Sequence, residues 1–432
     1  MISLWTSEHM LETALYFVKL ITGRVFVTGS ANILLELLSK LRVRNIIKWI
    51  QSHKPKLYIG VDMGRSQFNY VLIRYTPAKK KDDTPYEVLS TIKYRNERTL
   101  VAPDSAVFEH IIDDITRLIK GANNDLNIKS TRIDGIVFGV PGLVQPDTGV
   151  IEQAIDFLGN DRKLAFIDEF SSACRKKKLV LNDKCQQLLD NDGNCVTRYV
   201  CSYHSRRMSQ GAAKAGNFVC FIVGNNFGAG IAVNNNIFYG DNHKAGEVGH
   251  MIIESGLITC SCGKGSGHAE QRISRRGLEN LVSTYSSESD SILQAPSDRF
   301  YTLVRERMQA SLTTSGEANS KMDPVVTAVE ELTRYLAITI ANLVNVLDIC
   351  HIYFSGAMMR ELFFNDDLDL EASLRKLVDE KTFISIRDIN FTLVDSIFEK
   401  SKGENILDDR FHPAIGAALA CEDESYVEAT RA

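Results

Sequence analysis

The stretch Gly246-Glu-Val-Gly-His-Met-Ile-Ile-Glu-Ser-Gly-Leu-Ile-Thr-Cys-Ser-Cys-Gly-Lys-Gly-Ser-Gly-His-Ala-Glu270 concentrates more chemistry than any other part of the chain. Within it His250, Cys260, Cys262 and His268 are separated by nine, one and five residues. Imidazole and thiolate are the ligands that Zn²⁺ takes in closed tetrahedral sites. Gly263, Gly265 and Gly267 supply the backbone freedom needed to bring His268 round to the two cysteines. Glu247 and Glu270 flank this set, and no lysine stands at a spacing that obviously pairs them. A metal loop that presents carboxylates suits the hydroxyls of a polar ligand. The plainer reading is two buried thiols and two ordinary histidines. A C-x-C pair alone would not decide against it, but four ligands within nineteen residues among glycines point to a structural zinc.

The same stretch resembles the signature of the ROK family, which groups repressors, open reading frames and sugar kinases. Gly246–His250 and Cys260-Ser261-Cys262-Gly263 fit the family's G-E-x-G-H and C-x-C-G elements without a gap. Beyond them one residue is inserted, and His268 stands where the family has a third cysteine. The resemblance implies an α/β protein with the actin-like ATPase fold, two ribonuclease-H-like lobes around a cleft. It also implies a zinc held by His250, Cys260, Cys262 and His268, and a sugar bound in the cleft.

Reading outward, Leu57–Asp62 has the composition of a buried strand, Met63–Ser66 that of a turn, and Phe68–Tyr75 that of a returning strand. Kinases of the family carry D-x-G-G-T at this turn, whose bare amides cradle ATP phosphates. Here Asp62 and Gly64 remain, while Arg65 and Ser66 replace the second glycine and the threonine. A second phosphate hairpin, G-T-G-x-G-x-G in the kinases, corresponds to Gly224–Gly230. Gly224, Gly228 and Gly230 are kept, and Asn225 and Asn226 fill space that phosphate oxygens would need. Ala357 replaces a glycine in the family's adenine-side loop, so three nucleotide contacts depart together. Gly139-Val-Pro-Gly142 is a further family element, ending a buried strand from Ile133.

Leu179–Asp183 reads as a short strand that ends in the family's Asn-Asp pair. By resemblance, Asp183 is the general base of the kinases, which takes the proton from the attacking sugar hydroxyl. Sugar ligands implied in the same way are Asn182, Asp183, Glu247, His250 and Glu270. ATP and Mg²⁺ belong to the site only if the chain is a kinase.

Residues 1–55 carry seven Lys/Arg against three Glu, +4 in a chain of net charge −4, and read as helical. One reading is a degenerate winged helix-turn-helix that contacts operator DNA; the other is a dimerisation or packing element. The expected organisation is a first lobe over 56–180, completed by 411–424, and a second lobe with the zinc loop over 181–410. Nine cysteines scattered through 432 residues read as reduced thiols. The apolar run Leu11–Ile21 is interrupted by Glu12 and Lys19 and too short to insert in a membrane, so a cytoplasmic protein is expected. Family members are usually homodimers or homotetramers. The reading that ranks first is a sugar-responsive transcriptional regulator that binds a hexose, an amino sugar or its phosphate. The alternatives are an ATP-dependent hexose or N-acetylhexosamine kinase, and a sugar-sensing partner protein without DNA binding.

Overall fold

The computed structural model describes residues 54–427, apart from 65–66, 78–83, 96–104, 123–131, 155–162, 210–215, 256–258, 261, 287–290, 297–298, 315–322, 384, 398–410 and 424–425. Residues 1–53, and with them the helical reading of that segment, lie outside the described residues, as do Arg65 and Ser66.

The strands β1 (Lys56–Met63), β2 (Gln67–Tyr75) and β3 (Tyr86–Arg95) form an antiparallel meander. Helix α1 (Ser105–Gly121) then returns the chain to β4 (Gly135–Val140), which pairs with β1 in parallel. All six residues of β4 are buried, as expected of a strand covered on both faces. A small hairpin, β5 (Leu143–Gln145) with β6 (Val150–Gln153), and helix α2 (Phe166–Lys176) lead to β7 (Gln186–Asn191). The first sheet has the order β3-β2-β1-β4-β7.

Helix α3 (Asp192–Ser209) carries the chain to the second sheet. This holds β8 (Phe218–Val223), β9 (Phe227–Val233), β10 (Asn236–Ile237), β11 (His351–Ser355) and β12 (Asn390–Leu393), in the order β10-β9-β8-β11-β12. Helices α4 (Arg275–Tyr285), α5 (Phe300–Thr314), α6 (Pro324–Leu347) and α7 (Leu370–Asp379) pack over it. The longest, α6, begins where Asp323 accepts the N–H of Val325 and Pro324 takes the first turn; it ends at Asp348 in the left-handed region.

Three apolar cores result. One lies beneath α1 and α2, a second beneath α4–α7, and a third between the two sheets. The middle core is filled by α3 and by the short helix α8 (His412–Leu419). Backbones meet there directly. A Cβ on Gly60 would lie 1.8 Å from the Ala414 carbonyl oxygen, and one on Gly416 1.8 Å from that of Cys195.

Two expectations are corrected. The first lobe does not end at residue 180, because β7 is the fifth strand of its sheet; the crossing falls at α3. Leu179–Asp183 is not a strand. Asn182 Oδ1 accepts the N–H of Lys184 at 3.0 Å in a turn, and Asp183 is exposed. This turn lies where β7 begins, at the end of the sheet opposite Asp62.

Candidate functional site

The parallel strands of the first sheet end at one edge, with Asp62 on β1 level with Gly139 on β4, and Gly139 level with Asp190 on β7. The last residue of β7 is Asn191 and the first of α3 is Asp192, so strand passes directly into helix there. Asn191 Oδ1 accepts the N–H groups of Gly193 (2.8 Å) and Asn194 (3.3 Å), which caps α3. Its Nδ2 donates to the Gly142 carbonyl at 2.9 Å, so the family-like Gly139–Gly142 turn is tied to the start of α3. An Asn-Asp pair that ends a buried strand therefore does exist in this fold. It is Asn191–Asp192, nine residues beyond Asn182–Asp183. The run Asp190-Asn-Asp-Gly193, three polar residues and a glycine, obscures it, because it reads as a loop.

Burial pushes the Asp192 carboxyl up to about 7, with Asp62 and Glu247 adding repulsion against the Gly193 N–H. Asp62 rises to about 6, chiefly through burial, although Asn69 donates to it at 2.9 Å. Glu247 is also raised by burial and then by Glu270, while Lys244 opposes the shift. Asp62, Asp192, Glu247 and Glu270 thus form one chain of mutually sensed carboxylates that spans both lobes. Asn182 and Asp183 take no part in it.

Glu247 sits on a loop that only glycine permits. Gly246 has φ +90, and a Cβ there would lie 2.2 Å from the Ala229 carbonyl oxygen. At Gly249 the corresponding clash is with the Phe227 carbonyl, at 2.3 Å. The G-E-V-G-H spacing is therefore the pattern of a loop pressed onto β9.

Among the described residues, His250, Cys260, Cys262 and His268 bring four ligand atoms within 4.8 Å of one another. His250 Nδ1 lies 3.4 Å from His268 Nδ1 and 3.7 Å from Cys260 Sγ, and Cys262 Sγ lies 3.6 Å from His268 Nδ1. Bond lengths of zinc to imidazole and thiolate give tetrahedral edges of about 3.3–3.4 Å between two nitrogens and about 3.5–3.6 Å between nitrogen and sulfur. The donor set therefore has the size of a metal tetrahedron. Positive φ at Gly263, Gly265 and Gly267 makes the fold-back that the sequence anticipates. Gln271, itself buried, donates to Cys260 Sγ at 3.7 Å. The free nitrogen of His250, Nε2, faces Glu247 Oε2 at 3.8 Å, which joins the metal group to the carboxylate chain.

The β8–β9 hairpin forms the opposite wall. A Cβ on Gly224 or Gly228 would meet nothing within 4 Å, whereas one on Gly230 would strike Thr197 at 1.9 Å. Gly224 and Gly228 thus border open space and Gly230 serves packing. Asn225 and Asn226 are exposed at the tip. One contact crosses the cleft mouth: Glu152, on the β5–β6 hairpin, binds Lys244 Nζ at 2.9 Å and accepts from Gln145 Nε2 at 2.7 Å.

The family model for ROK matches residues 58–385. This chain is 26% identical over 306 residues to a glucokinase of Halalkalibacterium halodurans, covering 70% of this chain and 81% of that one. It is 25% identical over 333 residues to a putative xylose repressor of Caldicellulosiruptor sp., covering 76% and 71%. Among solved structures it resembles a ROK family transcriptional regulator described as a homologue of the E. coli MLC protein, with TM-score 0.58 at 18% identity over 88% of this chain and 82% of that one. A ROK hexokinase from Thermus thermophilus aligns with TM-score 0.56 at 17% identity, over 84% and 97%. The chain belongs to the ROK family, and its two lobes have the actin-like ATPase fold of these structures.

Proposed function

We propose that this ROK protein is a sugar-responsive transcriptional regulator whose cleft binds a hexose or amino sugar, with a structural zinc in the adjoining loop. The observation that carries the reading is a contrast within one cleft. The sugar side is furnished with Asn191, Asp192, Glu247, His250 and Glu270, whereas the phosphate hairpin ends in Asn225 and Asn226. Carboxylates arrayed along a buried wall accept hydrogen bonds from sugar hydroxyls, and charge on the acceptor strengthens each bond. His250, Cys260, Cys262 and His268 would hold the zinc and fix the loop that carries Glu247. With four protein ligands available, a zinc held there would serve to make the loop rigid rather than to activate water.

The similarity to a xylose repressor over 76% of this chain supports a regulator, with operator contacts assigned to residues 1–55. A homodimer or homotetramer would present two such segments to a palindromic site. Thermal-shift measurement with free hexoses and amino sugars, followed by footprinting on the gene's own upstream DNA with and without the stabilising sugar, tests the reading. A sugar that stabilises the protein but leaves DNA binding unchanged would overturn it.

One observation favours a kinase as the second reading. Asp192, held near 7, suits a general base for deprotonating a sugar hydroxyl. In that case ATP and Mg²⁺ join the site, and the role that the resemblance gave Asp183 passes to Asp192. Phosphoryl transfer at roughly 1–100 s⁻¹, the range of ordinary kinases, would establish it.

A further inference from the structure

We infer that the edge of the first sheet where its parallel strands begin, opposite the cleft, is a surface for the phosphodiester backbone of duplex DNA. The hydrogen bonds Leu57 N–H to Asp134 Oδ2 (2.8 Å), Asp134 N–H to Leu57 O (2.8 Å) and Gln186 N–H to Asp134 O (3.0 Å) bring the starts of β1, β4 and β7 side by side. Lys54, Arg132 and Lys184 stand two or three residues before those three strands, and all are exposed. Arg175, Lys176 and Lys178 close α2 and are exposed as well, on the short connection that enters β7.

No side chain of these six pairs with a carboxylate among the described residues. The acids nearby are already engaged: Asp113 by Lys177 at 3.0 Å and Glu422 by Lys56 at 2.6 Å. Asp183, beside Lys184, is a further exposed acid here. The negative end of α2 favours a cation at Arg175 and Lys176. No helix end calls for Lys54, Arg132 or Lys184.

Three adjacent strand starts span roughly 10 Å at about 4.8 Å per step. That is the reach of about three phosphates along one DNA strand. In the sequence, Lys54 directly follows residues 1–53, which carry six Lys/Arg against three Glu. An anionic membrane is the poorer fit. Among the large exposed apolar side chains of the described residues, only Val180 lies on this side of the lobe.

This inference rests on the regulator reading only for the biological identity of the duplex, and a random-sequence duplex tests it. The full chain and its Arg175→Gln/Lys176→Gln/Lys178→Gln/Lys184→Gln variant are titrated with the labelled duplex by fluorescence anisotropy at several salt concentrations. An Arg42→Gln/Arg44→Gln variant of the N-terminal segment runs beside them. The fourfold variant should keep its sugar-induced thermal shift. Its slope of log K against log salt should fall by about three to four, at about 0.9 per lost phosphate contact.

An unchanged slope in the fourfold variant, with loss in the Arg42/Arg44 variant, overturns the inference and leaves the regulator reading standing. The reverse pattern supports the inference and counts against DNA contacts in residues 1–55. A wild-type chain that binds no duplex at low salt overturns both. Binding to phosphatidylserine vesicles in place of DNA, lost in the fourfold variant, overturns it in favour of a membrane contact.

Discussion

Asp192 stands at the centre of the proposed sugar site, and its environment makes it testable without an identified ligand. The folded state holds its proton up to about 7, against an ordinary value of 3.8. The native state therefore binds more protons than the unfolded chain between those limits. Stability from this group is present at low pH and is lost as pH rises through about 7. Asp192→Asn, which cannot ionise, should raise Tm by several degrees at pH 8 and change it little at pH 4. Calorimetry across that range checks the sign; a variant less stable at pH 8 would show that the carboxylate gains more from its hydrogen bonds than burial costs it. The same variant should lose sugar binding. Arg198 carries a different load. It reaches Asp190 at 2.6 Å and Asp423 at 3.3 Å within a buried cluster. Arg198→Met should destabilise the protein by about 3–5 kcal/mol, because it strands the Asp190 charge, and chemical denaturation would measure this.

Among elements, the loop from Gly246 to Glu270 was legible in the sequence almost residue by residue. Its glycines, thiols and imidazoles each answer to a local demand of geometry or coordination, and local demands leave local patterns. The strand β7 and helix α3 were not legible. Asn194, Thr197, Arg198 and His204 lie on α3 yet are buried, since the helix sits between two sheets and residues 193–201 are buried all round, which leaves no polar stripe to mark its period. The Asn-Asp pair at Asn182 answered the motif only in letters, while the pair with the right surroundings depended on where the sheet ends. Two predictions belong at this scale. Cys260→Ser should lower metal content from about one zinc per chain to a small fraction, read by elemental analysis of the purified protein. Gly246→Ala faces both a positive φ and a carbonyl 2.2 Å away. It should cost roughly 2–4 kcal/mol in denaturant titration and weaken sugar binding through the displaced Glu247.

For the whole molecule, the two lobes touch at the middle core and again at Glu152–Lys244 across the cleft mouth. The nearby Lys244 draws Glu152 below the usual carboxylate range. A partly exposed pair of this kind contributes only about 0–1 kcal/mol, which is enough to bias an open–closed equilibrium without locking it. Lys244→Met should enlarge the radius of gyration of the ligand-free protein in X-ray scattering, and high salt should enlarge the wild type in the same direction. Equal scattering profiles would show that the mouth is held elsewhere.

The middle layer has a further consequence, one of timing. Helix α8 packs against β1, yet some 350 residues separate them along the chain. At ribosomal rates of about 5–20 residues per second, β1 waits on the order of half a minute for the helix that covers it. Once Lys184 has been made, which leaves most of that interval still to run, the basic leading segment and the basic edge of the first sheet are both synthesised while the lobe that carries Glu247 and the four zinc-type ligands is unfinished. On the proposed reading, the nascent chain passes through a period in which its basic surfaces are complete and its sugar site is not.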